Sequence, residues 1–123
     1  MDLNQLATVE QHEAGAECQL QNPMTGEDGD GVIIIKGVDS KAWRLAQKEQ
    51  RRKMKEKDEL DMFDHEYLWP IIASCITGWR NLTKGDEEFE YSEENANWLC
   101  ENSPQIVTQL FAFLIDRGNF TKG

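Results

Sequence analysis

Only three cysteines and two histidines occur among 123 residues. Cys18, Cys75 and Cys100 lie far apart and form no CxxC, a pattern of reduced thiols in a cytosolic compartment and not of a disulfide framework. His12 and His65 are too few and too distant for a cluster with metal-ligand spacing, so no metal is expected. Long apolar runs are missing as well. No segment approaches the roughly 18 apolar residues of a membrane span, and the opening MDLNQLATVEQHEAG has neither the basic start nor the apolar run of a signal peptide. A soluble protein that stays where it is made is the expectation. A phosphate-cradling glycine loop is also absent, because Thr25-Gly26-Glu27-Asp28-Gly29 is acidic and has the wrong charge for an anion site.

What is present is charge, unevenly placed. The formal net charge is −10, yet eight of the thirteen basic residues fall between Lys41 and Lys57, against only Glu49 and Glu56. That segment therefore carries +6 and the remainder −16. Most of such a surface repels a phosphate backbone, so nucleic acid is not an expected partner, whereas other copies of the chain or an acidic partner are allowed.

The most informative stretch is GVIIIKGVDSKAWR, residues 31–44. Val32 to Ile35 are β-branched in an unbroken row, which suits a short strand covered on both faces. Gly37 ends it, and Asp39 or Ser40 can cap the helix that follows. Upstream, residues 3–13 suggest a short amphipathic helix closed by Gly15, and Ala16 to Gln21 reads as a half-buried strand. Asn22-Pro23-Met24-Thr25-Gly26 is turn chemistry. Asp28-Gly29-Asp30-Gly31 invites a calcium-loop reading, but aligning Gly31 with the required glycine puts Gly26 and Gly37 at ligand positions. It reads instead as a flexible acidic hairpin loop.

Downstream, a polar basic helix over 39–57 is followed by a second helical pattern over 59–77, with Leu60, Phe63, Tyr67 and Leu68 at helical spacing. Proline removes a helix hydrogen bond, so a break or sharp kink is expected at Pro70, with a new helix starting there and stopping at Gly78. Trp79 to Leu82 reads as a connection and Lys84 to Glu90 as an acidic loop. Ser92 and Ser103-Pro104 open helices over 92–101 and 103–117. The fold expected is mainly α with a small N-terminal antiparallel β-hairpin (an α+β arrangement) in a single domain, 1–123. The hairpin occupies 16–37, the basic helix 39–57 and the helical core 59–120.

No catalytic or cofactor-binding residue is expected. Nothing local activates Cys75 or Cys100 as a partner for His65, and Asp86-Glu87-Glu88 and Glu93-Glu94 sit where solvation or helix capping explains them. Trp79 and Trp98, embedded in apolar patterns, read as core. Trp43 is open to two readings, clamping its helix onto the sheet or contacting a partner. Two surfaces are candidates for partner binding. One is the basic helix with Trp43, Arg51, Arg52 and Lys55, and the other is the over-wide apolar stripe with Leu110, Phe111, Phe113 and Leu114.

The order of four stretches resembles the phage tail assembly chaperone family: NPMTGEDGDGVIIIKGVDSKAWR, GWRNL, FEYSEENANWL and SPQIVTQLFAFLIDRGNF. In such proteins a G-x-D-S step enters the first long helix, as Gly37, Asp39 and Ser40 do here, and Trp-x-Asn-Leu precedes a serine-capped helical pair. The acidic Asp28 to Gly31 segment is longer than the family's usual turn. The resemblance implies a non-catalytic helper of long-tailed phage morphogenesis. It would bind the tape measure protein and recruit tail tube subunits in the host cytoplasm, and be absent from the mature virion. It also implies that an extended form can arise by ribosomal frameshifting. Self-association into a homo-oligomer is compatible with both surfaces. The competing reading from a different class is an acidic inhibitor that mimics nucleic acid and binds a host protein.

Overall fold

The computed structural model describes residues 1–54 and 64–121. Lys55, Lys57, Leu60 and Phe63, and with them the expected end of the basic helix and start of the next, lie outside the described residues. Strand β1 (Ala16–Gln21), β2 (Asp28–Ile35) and β3 (Ile76–Arg80) form one antiparallel sheet with β2 in the middle. Cys18, Leu20, Ile33 and Ile35 alternate onto the buried face, and Val32 and Ile34 stay half-buried on the other. The edge of β1 is closed by a side chain. Gln109 accepts from the Gln21 N–H at 2.9 Å and donates to the Gln21 carbonyl at 2.9 Å, imitating a further strand.

There are five helices among the described residues, α1 (Val9–Ala14), α2 (Lys41–Met54), α3 (His65–Cys75), α4 (Glu93–Asn102) and α5 (Pro104–Ile115), and α5 packs against β1. A 3₁₀ turn over Leu3–Gln5 and a second over Arg117–Phe120 flank them. Helix α3 packs against α2, α4 and α5, with Ile71, Ile72 and Cys75 fully buried. Helix α5 buries Val107, Leu110 and Leu114, a helix-period edge that is narrower than the stripe its sequence suggests, and leaves Ile115 exposed. Ser40 caps α2 by accepting from the Trp43 N–H at 3.2 Å, and Ser92 caps α4 by accepting from the Asn95 N–H at 3.0 Å. Ser103 makes no side-chain cap, and Pro104 at the first helical position takes over the start of α5.

The β-content is therefore larger than an N-terminal hairpin, and the fold is α+β with a sheet that the chain completes from two distant segments. Helix α3 passes into β3 with no loop between them. Ile76 ends the helix in extended backbone, Ile76 pairs with Ile35, and the Lys36 N–H donates to the Cys75 carbonyl at 2.9 Å. Ile76 continues the apolar stripe of α3 and Gly78 resembles a helix stop, so a sequence pattern hides this strand within its helical neighbour. A small hairpin of β4 (Thr83–Lys84) and β5 (Glu87–Glu88) follows, turning at Gly85 with a φ of 66°. The segment Asp28 to Gly31 belongs to β2, not to a loop. The loop that precedes it is closed by the Asn22 N–H on the Glu27 carbonyl at 2.8 Å and by Gly26 at positive φ.

Pro70 lies inside α3 and does not break it. Its missing N–H leaves the Glu66 carbonyl without a helical donor. The buried Gln50 of α2 supplies one from outside. Its Nε2 donates to the Tyr67 carbonyl at 3.2 Å and approaches the Glu66 carbonyl at 3.5 Å, so the two helices are joined where proline weakens one of them. Replacing Gln50 by alanine is expected to cost about 1–3 kcal/mol in urea unfolding, through loss of a buried amide's bonds. The cost should be smaller in a Pro70→Ala background, where residue 70 regains its own donor. Equal costs in both backgrounds would show that Gln50 acts by packing alone.

Candidate protein-binding surface

Strand β3, the β4–β5 hairpin and α4 bring four aromatic rings together. Trp79 stacks on Phe89 with centroids 5.5 Å apart, and Tyr91 meets Trp79 edge-on at 5.2 Å. Phe89 meets Trp98 edge-on at 5.4 Å. Backbone bonds fix the arrangement. The Trp79 indole donates to the Phe89 carbonyl at 2.6 Å, the Phe89 N–H to the Leu82 carbonyl at 2.8 Å, and the Tyr91 hydroxyl to the Ile76 carbonyl at 3.1 Å. Asn81 turns the chain out of β3 at a φ of 61°, a conformation asparagine tolerates, and its amide donates to the Asp30 carbonyl at 3.1 Å.

These rings are only partly covered. Trp98 is 41% exposed and Tyr91 36%, while Trp79 and Phe89 are half-buried behind them. The Lys84 ammonium sits 3.9 Å from the Trp98 ring centroid, in cation–π contact. Along the chain the exposed carboxylates Asp86, Glu87, Glu88, Glu90, Glu93 and Glu94 flank and interleave with Phe89 and Tyr91, and none of these carboxylates forms an ion pair among the described residues. The result is an aromatic platform with an acidic rim, held rigid from below. Partly exposed, preorganised tryptophan and tyrosine are the side chains that dominate protein-binding hot spots.

A second polar cluster closes the opposite part of the fold. His12 is fully buried and stacks on Phe120 at 4.4 Å. Its Nδ1 accepts from the Asp39 N–H at 3.0 Å, so the neutral ring carries its proton on Nε2, 3.6 Å from an Asp39 oxygen. Asp39 accepts two bonds from Arg117, at 2.7 and 2.8 Å, and one from the Thr8 hydroxyl. Chiefly through Arg117, its carboxyl is held far below the usual carboxylate range. This resembles a catalytic triad only in composition. Thr8 bonds to the carboxylate and not to the imidazole, so the hydroxyl faces only a carboxylate whose basicity Arg117 suppresses. Beside the cluster, a cavity of about 650 Å³ opens between Leu6, Val9, Val38 and Arg44, and Thr8, Asp39 and Arg117 line it from the cluster.

The three cysteines are free and buried, and burial pushes Cys18 up to about 11 and Cys75 and Cys100 up to about 12. His65 donates from Nε2 to the Glu101 carbonyl at 2.9 Å.

The residues singled out from the sequence do not form one surface. Trp43 is 7% exposed and stacks on Phe111 at 6.1 Å, so it clamps α2 onto α5. Leu110 and Leu114 are fully buried, and Phe111 and Phe113 are half-buried, with Phe113 edge-on to Phe120 at 5.7 Å. Arg51 and Arg52 are exposed, and Arg52 pairs with Glu49 at 2.6 Å. Lys55 lies outside the described residues. Conversely, Trp98 is not core, because α4 turns Ala96 and Cys100 inward and leaves Trp98 on its wet side. The aromatic platform includes none of the residues that the sequence marks for partner binding. Its signal in the sequence is the interleaving of Phe89 and Tyr91 with an acidic run, between two tryptophans.

No protein-family model, curated protein or solved structure matches the chain.

Burial is the main cause that keeps His12 below the ordinary imidazole value, with the Asp39 carboxylate opposing it. The unfolded chain therefore binds the histidine proton at higher pH than the folded one. Stability from this site is complete above the unfolded value and declines as pH falls through it. Thermal midpoints should drop between about pH 7.5 and 5.5, and His12→Gln should flatten that drop. An unchanged slope in the variant would place the titrating group elsewhere.

Proposed function

We propose that this protein is a non-catalytic tail assembly chaperone of a long-tailed phage, which covers apolar segments of the tape measure protein in the host cytoplasm while tail tube subunits are recruited. The observation that carries the reading is the aromatic platform. Two of the stretches on which the resemblance rests, GWRNL and FEYSEENANWL, fold against each other to build it, through Trp79, Phe89, Tyr91 and Trp98. A chaperone needs an exposed apolar surface that is stiff before the client arrives, so that binding does not also have to order the site. Rings locked by bonds to the Phe89 and Ile76 carbonyls meet that need.

The chemistry elsewhere agrees with a covering role. The buried thiols are held protonated, and the Asp39 carboxylate is bound by Arg117 and Thr8, which leaves it poorly suited to act as a base. A nucleic-acid mimic would offer a bare carboxylate array, whereas here aromatic rings occupy the middle of the acidic run.

Co-purification of the full chain with overlapping segments of the tape measure protein tests the reading. Trp98→Ala should weaken binding roughly tenfold or more, as loss of a hot-spot tryptophan does, with the unfolding midpoint unchanged. Ile115→Ser, at an exposed apolar site away from the platform, should leave binding intact. Capture of no segment, or full binding by Trp98→Ala, would contradict it.

A further inference from the structure

We infer that the platform is a seat for a lysine or arginine carried on an apolar client segment, and that Lys84 occupies this seat when no client is bound. The inference rests on the platform being the client surface, and adds which client chemistry it selects. Lys84 lies on the β4–β5 hairpin, one residue before Gly85, and its ammonium covers the exposed ring of Trp98 at 3.9 Å. An indole face attracts a cation through its quadrupole. The contact with Lys84 shows that this ring face accepts a cation in the free protein.

The rim supplies the second argument. Asp86, Glu87, Glu88, Glu90, Glu93 and Glu94 crowd within nine positions, and Lys84 is the one basic residue between Arg80 and Arg117. Like charges this close repel one another, and an approaching cation relieves that repulsion while an approaching carboxylate adds to it. Complementarity therefore commits the surface to one occupant, an amphipathic segment with leucine or phenylalanine on one face and lysine or arginine beside it. The apolar face would lie on Tyr91 and Trp98, and the client's cation would displace Lys84, whose flexible stem can swing aside into solvent. The acidic rim also excludes segments with acidic flanks, which gives selection without a shaped pocket.

The full chain can be titrated with a designed helical peptide bearing a leucine and phenylalanine face and flanking lysines, and with the same peptide carrying glutamate in place of lysine. The lysine peptide should bind and the glutamate peptide should not, and the difference should shrink as salt is added. Lys84→Met removes the resident cation and keeps the stem, so it should tighten the lysine peptide roughly two- to fivefold. Glu87→Gln with Glu88→Gln and Glu90→Gln should weaken it and flatten its salt dependence. Independently of any variant, the Lys84 ε-proton resonances, shifted upfield by the indole in the free protein, should return toward their ordinary position as the lysine peptide is added. Equal affinity for the two peptides at low salt, weaker or unchanged binding by Lys84→Met, or resonances that stay shifted at saturation would overturn the inference. If tape measure segments bind through Trp98 without regard to charge, the seat is wrong and the chaperone reading survives. If the peptides obey the charge rule and no tape measure segment binds, the reverse holds.

Discussion

The pairing of β2 with β3 is the constraint on which the rest of the molecule depends. Ile33 lies opposite Trp79 and Ile35 opposite Ile76, so a strand formed from residues 76–80 is stitched to one formed from residues 28–35. Because α3 runs into β3 without a loop, this pairing also sets where the buried face of α3 meets the sheet. The register shifts once, between Ile34 and Ile35, where Thr77 is the extra residue and its hydroxyl donates to the Ile34 carbonyl at 3.4 Å. Downstream of that bulge Trp79 takes its place beside Phe89 and Tyr91. The exposed aromatic surface is thus held by the same backbone ladder that organises the core.

At the other end of β2 a second constraint closes the fold. Gly37 donates from its N–H to the His12 carbonyl at 3.1 Å, and a Cβ at residue 37 would come within 2.0 Å of the His12 ring. Only glycine allows that approach. His12 then reaches the Asp39 N–H, Asp39 holds Arg117, and Phe120 covers the imidazole, so the first helix, the entry to α2 and the last turn of the chain converge on one buried ring. The polar cluster reads as a clasp in which charge is matched internally, in contrast to the rim of the platform, where carboxylates are left without partners among the described residues.

Much of this was legible in the amino-acid order because it rests on local chemistry. The turn at Asn22 to Gly26, the Gly15 stop and the Ser92 cap each follow from short-range rules. What was not legible depends on distant partners. Five residues of strand hide at the end of a helical stripe because pairing with the distant Val32 to Ile35 turns them into a sheet. Pro70 sits in an unbroken helix whose freed Glu66 carbonyl is approached at 3.5 Å by the amide of Gln50, twenty positions away. Tryptophan burial is likewise a tertiary outcome. Trp43, in a polar helix, faces Phe111 and is buried, whereas Trp98, beside Leu99 and Cys100, emerges on the wet side of its helix. The basic character of α2 was evident from composition, and among the described residues its exposed face carries one ion pair, Arg52–Glu49.

The account stands on the client resting on the rings of Trp79, Phe89, Tyr91 and Trp98. Hydrogen exchange of the full chain, alone and saturated with a tape measure segment, reads that location without altering a residue. Exchange should slow across residues 79–98 and stay as it was in α2 and in the turn that carries Phe120. Protection confined to those other elements, with 79–98 exchanging as freely as before, would contradict it.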